Sequence, residues 1–230
     1  MELTILMPCL NEAASVEYCV REALSYIYSR GLSGEVLVAD NGSTDGSREL
    51  AAAAGARVIS VVDRGYGHAI LGGLKAARGQ YVIFGDCDGS YDFSNLDPML
   101  VCLRNGADLV AGDRYVGGIE KGAMPWSHRY VGVPLLSWLG RRRFRVEVKD
   151  FHCGLRGVNR EAALKLELVC GGMEFATELI GRFAAAGLTI AQVGVPLRKD
   201  LRTGSGHLRT LPDGWRHLKL LLRWPQYEWI

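Results

Sequence analysis

What this sequence lacks narrows it first. Six cysteines occur in 230 residues (Cys9, Cys19, Cys87, Cys102, Cys153 and Cys170), and no two stand in a C-x-x-C pair. Neither a thiolate zinc site nor a disulfide framework is therefore suggested. Reduced thiols in a cytosolic setting are the plain expectation. No stretch reaches about 18 uninterrupted apolar residues, so no membrane span is expected. No signal-peptide pattern precedes the first apolar run, "LTILMP", which supports the cytoplasmic expectation. The five histidines (His68, His128, His152, His207 and His217) show no metal-ligand spacing; only His152, close to Asp150, invites attention. Repeats, low-complexity segments and linkers are absent too, which predicts one compact unit over residues 1–230.

Charge is present but unevenly placed. Residues 1–112 carry 8 Lys and Arg against 14 Asp and Glu, whereas residues 113–230 carry 19 against 11. An acidic first half and a basic second half suggest separate tasks, metal binding and anion binding. No nucleic-acid partner is expected, and the sequence leaves oligomeric state open.

Apolar runs alternate with helical patterns. "LTILMP", "EVLVAD", "ARVISV", "YVIFGD" and "DLVAG" read as strands. Between them, "NEAASVEYCVREALSYIYSRG", "STDGSRELAAAAG", "GHAILGGLKAARG" and "NLDPMLVCLRNG" read as helices, the second capped by Ser43 or Thr44. The alternation predicts an α/β fold, a mostly parallel sheet with helices on both faces. After residue 115 the rhythm breaks. A helix around "VPLLSWL" runs into Arg141, Arg142, Arg143 and Arg145. "KDFHCGLRGVNREAALKL" reads as a strand or loop entering a helix, "EFATELIGRFAAAG" as a helix and "TIAQVGVPL" as a strand.

Ligands of such sheets bind outside the carboxyl ends of the strands. The polar residues fall there: Asn11 and Glu12 after the first strand, Asp40 at the end of the second, Asp86 and Asp88 after the fourth, Arg114 after the fifth. In "YVIFGDCDGSYDF", Asp86 and Asp88 share one side of an extended segment. Two carboxylates that close repel unless something positive lies between them. Oxygen ligands suit Mg²⁺ or Mn²⁺, and Mg²⁺ takes one or two carboxylates while substrate phosphates and water complete its shell. Ser90 and Asp92 are candidates for a further ligand.

Other positions have two readings. Asp40 could accept from a base N–H or a ribose hydroxyl; the alternative, a helix cap, fits Asp45 better. "DRGYGHAILGG" is not the dinucleotide fingerprint. Its Gly65 and Gly67 either let backbone N–H groups approach a nucleotide at a helix N-terminus or serve close contact between elements. At the C-terminus, Trp215, Leu218, Leu221 and Leu222 read as one side of a basic amphipathic helix with Arg216, Lys219 and Arg223, followed by Trp224, Tyr227 and Trp229. Residues 210–230 thus suit a membrane interface or, alternatively, core contact, and a longer natural chain with later transmembrane segments is a further expectation.

Taken together, these motifs resemble the family 2 glycosyltransferases of the GT-A (Rossmann-like) fold, near the dolichol-phosphate mannose synthases and bacterial polyprenyl-phosphate glycosyltransferases. The resemblance implies that Pro8, Leu10, Asn11 and Glu12 of "MPCLNEAASV" line the nucleotide pocket and that Asp40 of "ADNGSTDGS" contacts the base. It makes Asp86 and Asp88 the metal and diphosphate residues. Arg114 of "VAGDRY" would approach a phosphate, and "KDFHCGLRGVNREAALKL" would contribute Asp150 and Arg156. Cys153 and Leu155 depart from the family pattern, and Ser90 replaces a frequent Gln. "RKDLRTGSGHL" resembles a loop that closes over the site, with Arg202 as its phosphate-binding arginine.

The implied halves are 1–112 for a nucleotide-sugar donor and 113–209 for the acceptor. A polyprenyl phosphate acceptor, ionised near neutral pH because its second pKa is about 6, needs no general base. It needs cations, which Arg114, Arg156, Arg202 and the 141–145 cluster would supply. A hydroxyl acceptor would need a base, with Asp150 as candidate. Hexose transfer to a polyprenyl phosphate at the cytoplasmic membrane face is the leading expectation. A soluble or glycan hydroxyl acceptor and a non-enzymatic nucleotide-binding module are the alternatives.

Overall fold

The computed structural model describes residues 1–202 and 210–224. A seven-stranded sheet forms its centre: β1 (Leu3–Cys9), β2 (Gly34–Asp40), β3 (Arg57–Ser60), β4 (Tyr81–Phe84), β5 (Leu109–Asp113), β6 (Arg156–Asn159) and β7 (Ile190–Gly194), in the order β3-β2-β1-β4-β6-β5-β7. The sheet runs through both the acidic and the basic half of the chain. β1 is buried along its whole length, as expected of a parallel strand covered on both faces.

Alternation along β1 divides the core. Leu3, Ile5 and Met7 pack with α1 (Val16–Ser29), α2 (Ser47–Ala53) and α4 (Asp97–Arg104) on one face. Leu6 faces the other side, toward α3 (Tyr66–Ala76), α7 (Arg160–Lys165) and α8 (Phe175–Ala185). A short helix α5 (Arg114–Gly117) follows β5, with the Asp113 carboxylate accepting from the N–H groups of Tyr115 and Val116. A π-helical turn at His128–Gly132 leads into α6 (Val133–Phe144). The last described element is α9 (Thr210–Arg223).

The α/β, mostly parallel expectation holds, with one strand reversed. β6 runs antiparallel to both neighbours, Arg156 pairing with Phe84 on one side and Ala111 on the other. It therefore starts at the rim where β4 and β5 end. This reversal carries residues 150–156 of the basic half to the carboxyl edge of the acidic half.

The caps of α2 differ from expectation. Its cap position is Gly46, at φ 90°. Ser43 and Thr44 instead tie two rim loops together: Ser43 Oγ accepts from Asn11 N, and Thr44 N donates to Asn11 Oδ1. Asp45 takes the helix-start role by accepting from Ser47 N.

Helix α9 also departs from its expected single apolar side. Leu221 is buried whereas Trp215 is 64% and Leu222 70% exposed. Neighbouring residues on a helix sit about 100° apart, so 221 and 222 cannot share a narrow face. The inward face is His217, Leu220, Leu221 and Trp224. His217 meets Thr177 of α8 at 2.7 Å, and Trp224 lies edge-on to Phe144 of α6. Gly181 has no Cβ because one would strike the rings of Phe144 and Trp224. Core contact and outward apolar residues thus coexist on α9. Tyr227, Trp229, His207 and most of the expected closing loop lie outside the described residues.

Candidate active site

A pocket of about 620 Å³ opens at the carboxyl ends of β1, β2, β4 and β5. Pro8, Leu10, Glu12, Gly65, Asp86, Asp88, Arg114 and Arg202, all expected from the sequence, line it. The first half contributes the floor and the second half, through α6, α8 and α9, much of the wall.

The acidic couple is held with care. Ser90 donates to Asp88 Oδ1 through both its backbone N–H, at 2.9 Å, and its hydroxyl, at 2.6 Å. Arg202 pairs with Asp88 Oδ2 and, at 3.3 Å each, with Glu12 and Asp200. Tyr66 donates to Asp86. Gly154 leaves room for that residue, since a Cβ there would stand 2.5 Å from Asp86 Oδ2; its N–H is fixed by the Tyr91 hydroxyl at 2.7 Å. Burial, and then the Asp88 charge, push Asp86 up to about 7. Burial raises Glu12 to about 7 as well, against the pull of Arg202. Carboxylates whose charged forms oppose one another in this way, at the lining of a pocket, mark a candidate cation site.

The donor set fits a hard divalent ion. Two carboxylates, Asp86 and Asp88, line the pocket, and among the described residues no three His, Cys, Asp or Glu side chains converge to form a complete metal cage. A partial shell of this kind suits an ion that also takes phosphate oxygens and water. Ser90, the expected third ligand, donates its hydroxyl to Asp88 Oδ1 and is not among the pocket-lining residues. Asp92 is likewise engaged, by Arg198 at 2.6 Å.

Several other expected roles are corrected. Asp150 is fully buried and clasps Arg114 through two bonds of 2.7 and 2.8 Å. It also receives the N–H groups of Arg114 and His152. A carboxylate so committed is no general base; it orients Arg114, which lines the pocket. Arg156 is 1% exposed, and its guanidinium donates to the carbonyls of Phe151, Cys153 and Ala176. It pins the 151–156 segment to α8 and has no phosphate-binding position. Arg141, Arg142, Arg143 and Arg145 close α6 away from the pocket lining.

On the nucleotide side, Asp40 is 1% exposed and its carboxylate accepts from Gly42 N and Ser43 N, so it shapes the turn instead of lining the pocket. Asn11, at φ 55°, braces the neighbouring loop. The Gly65 N–H is taken by Asn41 Oδ1 at 2.7 Å and the Gly67 N–H by Gly171 O at 2.9 Å. A Cβ on either glycine would lie about 2 Å from a carbonyl of the 170–171 segment (2.2 and 2.1 Å). Close approach of two backbones, the second reading of these glycines, therefore holds.

The pocket also contains residues the sequence reading passed over. Asn41, buried after β2, and Arg64 belong to the pocket lining. Tyr66, Tyr91 and Gly154 steady Asp86. His152, whose Nε2 is buried without a partner among the described residues, stacks edge-on to His217 at 4.5 Å. Burial holds both rings neutral, His217 down to about 4. Met124, Val133, Leu136 and Met173 form an apolar wall.

Comparison with known proteins agrees with this geometry. The glycosyl transferase family 2 profile matches residues 4–166. A hexosyltransferase of low-salt glycan biosynthesis from Haloferax volcanii is 38% identical over 221 residues, covering 96% of this chain. The chain spans 53% of that relative's length. A dolichyl-phosphate hexose transferase from the same organism is 30% identical, over 93% of this chain and 89% of its own. Among solved structures, glucosyl-3-phosphoglycerate synthase from Mycobacterium tuberculosis, in complex with Mn²⁺, UDP-glucose and phosphoglyceric acid, superposes with a TM-score of 0.69 at 26% identity, over 96% of this chain and 77% of that one. The same enzyme has been crystallised with Mg²⁺ and UDP. The fold is thus that of the GT-A glycosyltransferases, and the chain belongs to glycosyl transferase family 2.

Proposed function

We propose that this domain transfers a hexosyl group from a UDP- or GDP-linked sugar to a polyprenyl or dolichyl phosphate, with inversion and with Mg²⁺ or Mn²⁺ as cofactor. The observation that carries the reading is the composition of one pocket, in which an acidic couple, two arginines and an apolar wall share a single volume. Residues 1–112 supply the donor side and residues 113–209 most of the acceptor side. The dolichyl-phosphate hexose transferase relative supports a lipid phosphate acceptor. The non-enzymatic alternative is set aside, since the chain belongs to an enzyme family.

Asp86 and Asp88 would hold the cation, which when bound neutralises charge on the departing diphosphate. Arg202 sits beside them, within reach of phosphate oxygens. Arg114, locked in place by Asp150, presents fixed positive charge to the acceptor phosphate. That acceptor is already ionised, so the transfer requires no general base. The committed state of Asp150 weighs against a hydroxyl acceptor activated by that residue. Even so, the synthase crystallised with phosphoglyceric acid keeps a small phosphorylated acceptor as the second reading.

Peripheral membrane contact is part of the proposal. Among the described residues no helix is long and apolar enough to cross a bilayer. Trp126, Tyr130, Leu135 and Trp138 lie exposed along the π-helical turn and α6, and Trp215 and Leu222 along the adjoining α9. Arg142, Arg143, Lys219 and Arg223 accompany them at the surface. Apolar rings interleaved with cations suit an anionic lipid surface at the cytoplasmic face.

Radiolabelled UDP- and GDP-hexoses, offered with Mn²⁺ and with or without polyprenyl phosphate, test the reading. Label should enter the lipid extract only when the lipid phosphate is present, and Asp88→Asn should lower the rate at least about 100-fold. Label on phosphoglyceric acid instead would favour the second reading. Transfer to neither, with every donor, would refute both.

A further inference from the structure

Arg202 does more in this arrangement than wait for a phosphate. Its backbone segment is laced to the acidic loop: Leu201 N donates to Asp88 O at 2.8 Å and Arg198 N to Ser90 O at 2.9 Å. Arg198 anchors the same segment through Glu22 at 3.1 Å and Asp92 at 2.6 Å. Gly89, at φ 83°, lets Leu201 lie close, since a Cβ there would come within 2.6 Å of its side chain. The guanidinium is thereby delivered onto Asp88, Glu12 and Asp200.

Both oxygens of Asp88 are then engaged. Oδ1 accepts two hydrogen bonds from Ser90, and Oδ2 is taken by Arg202. A divalent ion reaching Asp88 through Oδ2 meets an oxygen that already has a cation on it. The Arg202 side chain is 19% accessible, and its Nε is buried with no acceptor among the described residues. One donor of the fork is therefore unspent in this arrangement.

We infer that Arg202 is the resident counter-ion of the metal site, competing with the divalent cation for Asp88 until a nucleotide diphosphate draws the guanidinium away. This rests on the metal reading of Asp86 and Asp88 and adds an order to it: metal alone binds poorly, and diphosphate and metal bind together. Two like charges cannot share one carboxylate oxygen at low cost, whereas a diphosphate offers Arg202 a bidentate partner of its own. Thermodynamic coupling is reciprocal, so the nucleotide gains from the metal by the same factor as the metal gains from the nucleotide.

The test is Mn²⁺ binding to the whole protein, read from the free-ion paramagnetic resonance signal, with Mn²⁺ alone and with Mn²⁺ plus UDP or GDP. For the unaltered protein the diphosphate should tighten Mn²⁺ by about tenfold or more. Arg202→Gln should bind Mn²⁺ alone about tenfold more tightly than the unaltered protein and lose most of the nucleotide's benefit. Arg202→Lys, which keeps the charge without the fork, should fall between. Circular dichroism checks that each variant is folded. Arg202→Gln binding Mn²⁺ alone no better, or worse, would overturn the competition while leaving the metal site standing. Asp88→Asn, made in the Arg202→Gln background, separates the two ideas. If it leaves Mn²⁺ affinity unchanged, the ion is not on this couple and the metal reading itself fails.

Discussion

Two carboxylate sites stand at the same rim, and they are settled in opposite ways. Asp150 is fully buried with its own arginine, both oxygens clasped by Arg114. Asp86, Asp88 and Glu12 gather at the pocket, where Arg202 pairs with Asp88 and Glu12, and Asp86 and Glu12 are held near pH 7, chiefly by burial. The first arrangement is complete without a ligand. In the second, burial and the Asp88 charge oppose ionisation of Asp86 and Glu12. A balanced buried pair is a positioning device, whereas mutually repelling carboxylates lining a pocket are a candidate site.

The contrast can be broken by substitution. The largest effect is expected on turnover at the acidic couple. Asp86→Asn should lower transfer at least about 100-fold, yet leave thermal stability equal or higher, because a repelled charge is removed. Stability lost in step with activity would place Asp86 with the structural pairs. Asp150→Ala should do the reverse first, costing about 3–5 kcal/mol of stability by leaving Arg114 buried and unpaired. Denaturant unfolding measures it, and a cost below about 1 kcal/mol would show that the pair is dispensable.

Smaller, but specific in sign, is the pH dependence. Asp86 and Glu12 hold protons in the folded state that the unfolded chain releases near pH 4. Between about pH 4 and 7 the native state therefore binds more protons, and the contribution of these two groups to stability falls as pH rises through that window, then levels off. The double substitution Asp86→Asn with Glu12→Gln should flatten the slope. Mn²⁺ affinity should climb over the same window, because the ion must displace those protons. A slope unchanged by the double substitution would assign it to other groups.

Why the position of one acidic group was readable from the sequence and the role of the other was not follows from this comparison. The place of Asp86 and Asp88 at the rim was legible because the apolar run before them fixes the strand, although β4 ends at Phe84 and Asp88 sits in the bend that follows. Most of the sheet was legible for the same reason: each parallel strand is a short apolar run followed by a helix. Asp150 and Arg156 were legible as a motif but not in role. Nothing in "KDFHCGLR" states that β6 runs antiparallel, and that reversal alone buries Arg156 against three carbonyls. Gly65 and Gly67 were ambiguous because a glycine that admits a phosphate and one that admits a backbone carbonyl are the same residue. Gly154 and Tyr91 escaped notice because their service to Asp86 exists only once β4 and β6 are side by side. Helix α9 carried two apolar faces in one pattern, and only its neighbours α6 and α8 show which is inward.

The central claim is that Asp86 and Asp88 hold a divalent cation against a nucleotide diphosphate. Crystals soaked with Mn²⁺ and UDP or GDP, with data collected for the manganese anomalous signal, test it most directly. The account predicts an anomalous peak about 2.0–2.2 Å from carboxylate oxygens of that couple, shared with diphosphate oxygens, and Arg202 turned from Asp88 toward the phosphates. Nucleotide and manganese bound elsewhere, with Arg202 still seated on Asp88, would contradict it.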